Sequence, residues 1–185
     1  MPFFETGIPG LKIFEPKVIE DSRGYFFESY NQKTYKEAGI DINFVQDNQA
    51  KSSYGVIRGL HFQLAPYAQA KLIRVLAGTI LDVAVDVRKG SPTYGKVFCV
   101  ELSAENKMQL LIPTGFAHGY SVLTDYAEMI YKCDQFYIKE AEGGIMYNDT
   151  DLNIDWKIPQ NKEIISDRDK THPLLRDANL NFIFS

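Results

Sequence analysis

Short segments with a two-residue hydrophobic period, separated by turn residues, constrain this chain more than any other feature. They run from about residue 24 to residue 132 and include "GYFFESY", "VIRGLHFQ", "KLIRVLAG", "TILDVAVDV", "KVFCVEL" and "AEMIYKC". A period of two places alternate side chains on opposite faces of a β-strand. Many such strands in succession predict an all-β sandwich or barrel.

The segment "TILDVAVDV" has the clearest alternation. Leu81, Val83 and Val85 share one face, whereas Asp82 and Asp86 share the other. We therefore expect a strand with one face in the core and one wetter face.

Helices are predicted to be accessory. Only "NQKTYKEAGI", capped by Asn31 and ended by Gly39, and the late "NKEIISDRDK" have helical patterns. Edge strands are expected in "KIFEPKVIEDSRG", and residues 143–185 are loop-rich and expected to wrap a barrel core at about 24–137. The length of 185 residues favours a single domain over residues 1–185.

Composition excludes several function classes. The formal net charge of -4 disfavours non-specific nucleic-acid binding, which needs clustered basic side chains. No apolar run approaches the roughly 20 residues of a membrane-spanning helix. Cys99 and Cys133 are too few for a disulfide framework, so we expect two reduced core residues of a cytoplasmic protein.

Polar residues in otherwise apolar strands are the first candidates for a functional site. "VIRGLHFQ" contains Arg58 and His61, Lys71 opens "KLIRV", and Tyr131 lies in "AEMIYKC". Strict alternation places Arg58 and His61 on opposite faces, although a β-bulge at Gly59 would bring them to the same face. The alternative for Arg58 and Lys71 is a solvated strand end with paired carboxylates.

The three histidines differ in their surroundings. His172 precedes a proline near the end of the chain, which indicates a surface residue. His61 and His118 could each be a hydrogen-bonded core histidine. However, the spacing from Gly55 to His61 and the segment "PTGFAH" match the two cupin signatures, Gly-x5-His and Pro-x-Gly-x-x-His.

Metal-binding cupins continue the first signature with a second histidine and then a glutamate. This chain has Gln63 at the histidine position and no glutamate before Gly78. Since a carboxamide replaces a nitrogen donor, we predict no metal site of that type.

A set of ordered motifs resembles the dTDP-4-dehydrorhamnose 3,5-epimerase family over nearly the whole chain. The motifs are "DSRGYFFESYN", "FVQDNQAKS", "IRGLHFQ", "QAKLIRV", "DVAVDVRKGSPTYG", "LSAENKMQLLIPTGFAHGY", "EMIYKC" and "SDRD" followed by "PLL". The resemblance implies a cupin jelly roll that forms a homodimer. It also implies conversion of dTDP-4-dehydro-6-deoxy-D-glucose to dTDP-4-dehydro-L-rhamnose with no cofactor and no metal.

This reaction removes protons from the two carbons flanking a ketone and returns them to the opposite faces, so it needs a base, an enolate stabiliser and an acid. The resemblance implies that His61 is the base, Lys71 faces the enolate and Tyr131 supplies the proton. The aspartate behind the base matches Asp169, with Asp167 as the alternative. Tyr131 could otherwise be a packing residue.

The resemblance also implies a substrate-binding set. Arginine and lysine suit a diphosphate, whereas glutamine and asparagine suit the edge of thymine. The set is Arg23, Phe26, Glu28, Gln46, Asp47, Asn48, Arg58, His118, Tyr137, Glu142 and Arg168. Phe26 could instead be strand core, and in family members Arg23 and Phe26 can act across the dimer interface.

Three other functions stay open at this point. A relative could epimerise carbon 3 alone on a related dTDP-deoxysugar. A metal-dependent cupin enzyme is disfavoured by Gln63. A non-catalytic sugar-nucleotide-binding cupin would have no need for a base, a lysine and a tyrosine together.

Overall fold

The computed structural model describes residues 3–184, which form two β-sheets packed face to face. The strands are β1 (Phe3–Glu5), β2 (Lys12–Phe14), β3 (Ile19–Asp21), β4 (Gly24–Phe26), β5 (Gln46–Ser53), β6 (Val56–Gln63), β7 (Lys71–Ala77), β8 (Thr79–Asp86), β9 (Val97–Ser103), β10 (Gln109–Ile112), β11 (Phe116–Val122), β12 (Tyr126–Cys133), β13 (Glu142–Gly144) and β14 (Ile164–Ile165). The helical elements are α1 (Gln32–Glu37) and the 3-10 turns Lys139–Ala141, Gln160–Lys162, Asp169–Thr171 and Leu175–Asp177.

The first sheet has the strand order β1-β2-β10-β7-β12-β5, and the second has the order β13-β6-β11-β8-β9 with β14 added alongside β6. Strands β3 and β4 form a separate hairpin. The strand pairs are antiparallel, except that β14 runs parallel to β6. This architecture confirms the predicted all-β sandwich. The segment "KIFEPKVIEDSRG" forms β2 and β3, but β2 lies between β1 and β10 and so is not an edge strand.

The main hydrophobic core lies between the two sheets. Ile73 and Val75 of β7 meet Ile80 and Ala84 of β8 there, all 2% exposed or less. Burying an aliphatic side chain of this size contributes about 1.5–3 kcal/mol relative to leaving it exposed. Burial of these residues therefore holds the two sheets together.

Strand β8 corrects the expectation of one wetter face. Asp82 and Asp86 are fully buried, as are Val83 and Val85 on the other face. The reason is the position of β8 inside the second sheet, between β11 and β9, with the C-terminal segment covering its outer face. The aspartates point into the interior, where each has hydrogen-bonding partners.

The C-terminal residues pack on the outer face of the second sheet. Ile145, Leu152, Trp156 and Phe182 pack there in one cluster with Val83 and other strand residues. The helix predicted in "NKEIISDRDK" is wrong. That segment contains a 3-10 turn, the strand β14 and the start of a second 3-10 turn, because Ile164 and Ile165 pair with β6 in an extended conformation.

The other predicted helix is confirmed. The side chain of Asn31 accepts a hydrogen bond from the Lys33 backbone N–H at the start of α1. Gly39, with φ of +79°, follows its end. Tyr35 anchors the helix to the outer face of the first sheet.

Cysteine placement matches the prediction in part. Both cysteines are free; Cys133 is buried, but Cys99 is exposed and so is not a core residue. Cys99 lies on β9, at the edge of the second sheet, where one side lacks a neighbouring strand. Among residues 3–184, no helix is long and apolar enough to cross a membrane.

Candidate active site

A cavity of about 250 Å³ opens between the two sheets. Its walls come from β5, β7 and β12 of the first sheet and from β6 and β11 of the second. Ten of the sequence-predicted site residues line it: Gln46, Asn48, Arg58, His61, Lys71, His118, Tyr131, Tyr137, Glu142 and Arg168. Residues far apart in the sequence therefore meet in one place.

The predicted bulge in β6 is confirmed, and it explains why Arg58 and His61 share the cavity. Arg58 pairs with Tyr120 and His61 with His118, so β6 advances three residues while β11 advances two. Gly59 has φ of +127°, and a Cβ built on it would lie 2.5 Å from the Gly119 Cα. The close approach of the two backbones requires glycine at this position.

His61 is hydrogen-bonded to Asp169 behind it. His61 Nε2 lies 2.8 Å from Asp169 Oδ1, and the Gly59 N–H donates to Oδ2 at 3.2 Å. Burial opposes ionisation of Asp169, yet these bonds outweigh it and lower its pKa to about 2. A neutral His61 that donates through Nε2 carries its lone pair on Nδ1, ready to accept a proton. Asp167, the alternative from the sequence, is exposed and pairs with Lys170.

A second histidine–aspartate pair lies beside the first. His118 Nε2 is 2.7 Å from Asp82 Oδ1, and His118 is the strand partner of His61. Asp82 Oδ2 is buried and has no hydrogen-bond partner among the described residues. Sequence reasoning did not name Asp82 as a site residue, although a charged side chain in the run "TILDVAVDV" was the available signal.

Lys71 and Tyr131 lie on the opposite wall, on β7 and β12 of the first sheet. Burial lowers the pKa of Lys71, partly offset by Cys133 and Asp82. Burial likewise raises the pKa of Tyr131, partly offset by Arg58. The phenol therefore keeps its proton at neutral pH, and the desolvated lysine favours an anionic neighbour.

A chain of polar contacts borders the cavity mouth. The Tyr137 hydroxyl donates to Glu142 Oε2 at 2.9 Å, and Arg168 Nη1 lies 2.8 Å from the same oxygen. Arg168 Nη2 is also 3.5 Å from His61 Nε2. On the wall formed by β5, Gln46 Nε2 donates to Asn48 Oδ1 at 3.0 Å. The mouth thus carries both charged and amide groups.

Four predicted binding residues lie outside this cavity. Arg23 and Phe26 belong to the β3–β4 hairpin, where Phe26 is 70% exposed and Arg23 pairs with Asp21. Glu28 is exposed and accepts a bond from Asn31. Asp47 points to the other face of β5 and pairs with Lys132, because alternation directs only its neighbours 46 and 48 inwards.

His172 corrects the prediction of a surface residue. Its side chain is 14% exposed, and its Nε2 lies 3.7 Å from Asp169 Oδ1. The ring packs edge-on against His61, with centroids 5.6 Å apart. Burial and the nearby His61 lower the pKa of His172. No sequence signal other than its three-residue distance from Asp169 indicated this position.

His61, Asp169 and His172 could present three metal-ligand atoms, since these lie within 4.8 Å of one another. The Arg168 guanidinium, with Nε 3.7 Å from Asp169 Oδ1, already supplies a positive charge there. A cation would have to displace that charge. The cluster is therefore better suited to proton transfer than to metal binding.

Comparison with known proteins gives consistent matches. The family model described as dTDP-4-dehydrorhamnose 3,5-epimerase matches residues 5–177. A protein of that name from Shigella flexneri is 55% identical over 180 residues, covering 97% of this chain and 98% of the relative. A crystal structure of the enzyme from Elizabethkingia anophelis has a TM-score of 0.91 at 52% identity, covering 95% of this chain and 96% of that one. The Legionella pneumophila epimerase in complex with dTDP-4-keto-L-rhamnose has a TM-score of 0.90 at 48% identity, covering 95% and 93%.

Proposed function

The chain belongs to the dTDP-4-dehydrorhamnose 3,5-epimerase family, and we propose that His61 and Tyr131 are the base and the acid of its reaction. The protein is an isomerase with a cupin-like fold. It epimerises dTDP-4-dehydro-6-deoxy-D-glucose at C3 and C5 to dTDP-4-dehydro-L-rhamnose, in dTDP-L-rhamnose biosynthesis. The observation that carries the assignment of roles is that His61 and Tyr131 line one cavity from opposite sheets.

His61 removes the proton next to the C4 ketone. Its bond to Asp169 supports this role, because a carboxylate behind the ring fixes the tautomer and stabilises the imidazolium that forms. Asp169 is 2% exposed and ionised, so its negative charge acts at short range with little screening by water.

Lys71 stabilises the enolate at the C4 oxygen. A desolvated ammonium group gains more from an arriving anion than a solvated one does, and the lowered pKa of Lys71 reports that desolvation. His118, held by Asp82, lies beside His61 and orients the sugar from the same wall.

Tyr131 returns a proton to the face opposite His61. Inversion requires that the acid and the base lie on different sides of a planar intermediate, and β12 and β6 belong to different sheets. The raised pKa of Tyr131 supports the role, because a phenol that keeps its proton can donate it. After each inversion His61 holds the abstracted proton and Tyr131 lacks one, so exchange with solvent resets the pair.

The nucleotide binds at the mouth of the cavity. Arg58 and Arg168 lie there to pair with the diphosphate, and Gln46 and Asn48 have the donors and acceptors that thymine requires. Tyr137 is 51% exposed there and provides an aromatic surface for the ligand. Asp47, which faces away from the cavity, is not part of this proposal.

We propose in addition that the protein is a homodimer in the cytoplasm. The β3–β4 hairpin exposes Ile19, Tyr25 and Phe26 at 58%, 59% and 70%, an apolar patch that a second copy would cover. In the dimer, Arg23 and Phe26 would reach the partner's cavity, and Glu28 follows the same hairpin. The free thiols of Cys99 and Cys133 support a reducing compartment.

Proton NMR in deuterated water tests the assignment. We expect the wild-type protein to exchange the protons at C3 and C5 of dTDP-4-dehydro-6-deoxy-D-glucose for deuterium. His61→Ala should exchange neither, because the base is missing. Tyr131→Phe should keep abstraction by His61 but lose completed inversion, so deuterium appears without the rhamnose product.

Two outcomes would contradict the proposal. Exchange at C3 alone by the wild-type protein would indicate a 3-epimerase of a related dTDP-deoxysugar. Undiminished exchange in His61→Ala would remove His61 as the base. Circular dichroism of both variants verifies that the fold is retained.

A further inference from the structure

Gln63 is buried at the end of β6, and its carboxamide is fully used in holding other segments. The side chain is 4% exposed, and Nε2 donates to the Tyr67 carbonyl at 2.7 Å and to the Phe136 carbonyl at 3.2 Å. Its Oε1 accepts from the Ile138 N–H at 2.7 Å. A carboxamide suits this position, because it offers two donors and an acceptor from one group.

Two of these bonds hold residues 134–138, which we call the mouth loop. Phe136 and Tyr137 in it are 62% and 51% exposed, so little apolar burial fixes them. The backbone N–H of Tyr137 also donates to Gln46 Oε1 at 3.3 Å. Gln69 and Ala70 hold the start of the loop, where Gln69 Nε2 donates to the Gln135 carbonyl at 2.8 Å and the Ala70 N–H donates to Asp134 Oδ1 at 2.7 Å. The position of the loop therefore depends on polar bonds to the barrel, and Gln63 supplies the two that flank Tyr137.

The mouth loop is linked in turn to the catalytic histidine. Tyr137 donates to Glu142, Glu142 pairs with Arg168, and Arg168 lies 3.5 Å from His61. Glu142 is also the strand partner of Gln63 across β13 and β6. Gln63 thus supports two members of this chain of contacts, Tyr137 through the mouth loop and Glu142 through strand pairing.

We propose that Gln63 is a positioning residue for substrate binding, which fixes the mouth loop so that Tyr137 and the Glu142–Arg168 pair close around the sugar nucleotide. This inference rests on the proposed function for the identity of the substrate. Metal-binding cupins have a histidine at this position, whereas this chain has Gln63, which holds the mouth loop. Its effect is on binding, since Gln63 bonds to none of the proposed base, acid or enolate stabiliser.

The variant Gln63→Glu tests this with almost no change in shape. Above its pKa the new carboxylate would face two carbonyl oxygens and repel both, so we expect KM to rise about tenfold at about pH 8 with kcat changed less than about threefold. Burial and the two carbonyls raise the pKa of the introduced acid, and the protonated form can donate one bond and accept the Ile138 N–H. The ratio of its KM to the wild-type KM should therefore fall towards one at about pH 5.5.

Gln160→Glu is the matched control, since it adds the same charge at an exposed turn position. Tyr137→Phe is the second variant and should raise KM without altering the fold, because it removes only the bond to Glu142. If both residues act through one loop, the double variant should raise KM by less than the product of the single effects.

An unchanged KM for Gln63→Glu at about pH 8, or a loss confined to kcat, would overturn the role of Gln63. Multiplicative effects in the double variant would overturn the link through Tyr137. Absence of turnover by the wild-type protein in the same assay would instead contradict the proposed function.

Discussion

Asp169 acts on the reaction through its negative charge, which lies directly behind His61. Replacing it with asparagine keeps the shape but removes the negative charge behind His61, so we expect kcat to fall about 100-fold or more. KM should change little, because Asp169 lies behind His61 and does not line the cavity. Steady-state kinetics on the dTDP-sugar separates the two parameters.

Asp167→Asn is the control for that experiment. Asp167 belongs to the same segment but is exposed and pairs with Lys170. Wild-type kinetics for this variant and a large loss for Asp169→Asn would identify which aspartate supports the base. Equal losses would mean that the charge of the whole segment matters instead of the bond to His61.

Individual site residues were predictable where a polar or charged side chain interrupts the apolar pattern of a strand. His61, Lys71 and Tyr131 are polar groups in apolar strands, and the structure brings all three to one cavity. Asp82 and His172 were missed, because their significance comes from partners that the fold supplies. Alternation alone predicts a solvent-facing Asp82, and its partner His118 lies 36 residues away.

At the scale of elements, the β6 bulge determines which side chains enter the cavity. Gly59→Ala would put a methyl group 2.5 Å from the Gly119 Cα and force an alanine to adopt φ of +127°. We expect a loss of about 2–4 kcal/mol in the free energy of unfolding, from strain and steric overlap together. Activity should fall with it, because relief of the strain shifts Arg58 relative to His61.

Gly90→Ala serves as the comparison. Gly90 also has a positive φ, +86°, but no atom lies within 4 Å of the position that its new methyl group would take. Only the backbone strain applies there, so the loss should be about 1 kcal/mol. Urea unfolding of the two variants measures the difference, and equal losses would argue against a special role for the bulge.

Strands were more predictable than helices for a physical reason. The two-residue alternation of the core strands is imposed by burial and is visible locally. The segment "NKEIISDRDK" has a helix-like pattern, but Ile164 and Ile165 gain ladder hydrogen bonds by lying along β6, and Ile165 also packs against the outer cluster of the second sheet. That tertiary gain outweighs a weak helical propensity and could not be read from the segment itself.

At the scale of the whole molecule, the sandwich followed from the sequence, whereas the position of Arg23, Phe26 and Glu28 did not. These residues lie outside the cavity of their own chain, so their predicted contact with substrate requires a second copy. The question is whether a complete site contains residues from two chains. Mixing two inactive variants answers it.

We expect two variants to be nearly inactive when each is purified alone. One is the double variant Arg23→Ala/Phe26→Ala, and the other is the single variant His61→Ala. If the hairpin acts on the partner's cavity, a dimer of the two variants has one site with neither defect. Random mixing gives half such dimers, so co-refolded protein should recover roughly a quarter of wild-type turnover. Recovery must depend on subunit exchange, so an assay made immediately after the two purified proteins are mixed, before subunits exchange, should show none. If the hairpin acts only within its own chain, or if the protein is a monomer, no site is free of defects and turnover stays at the level of the single variants.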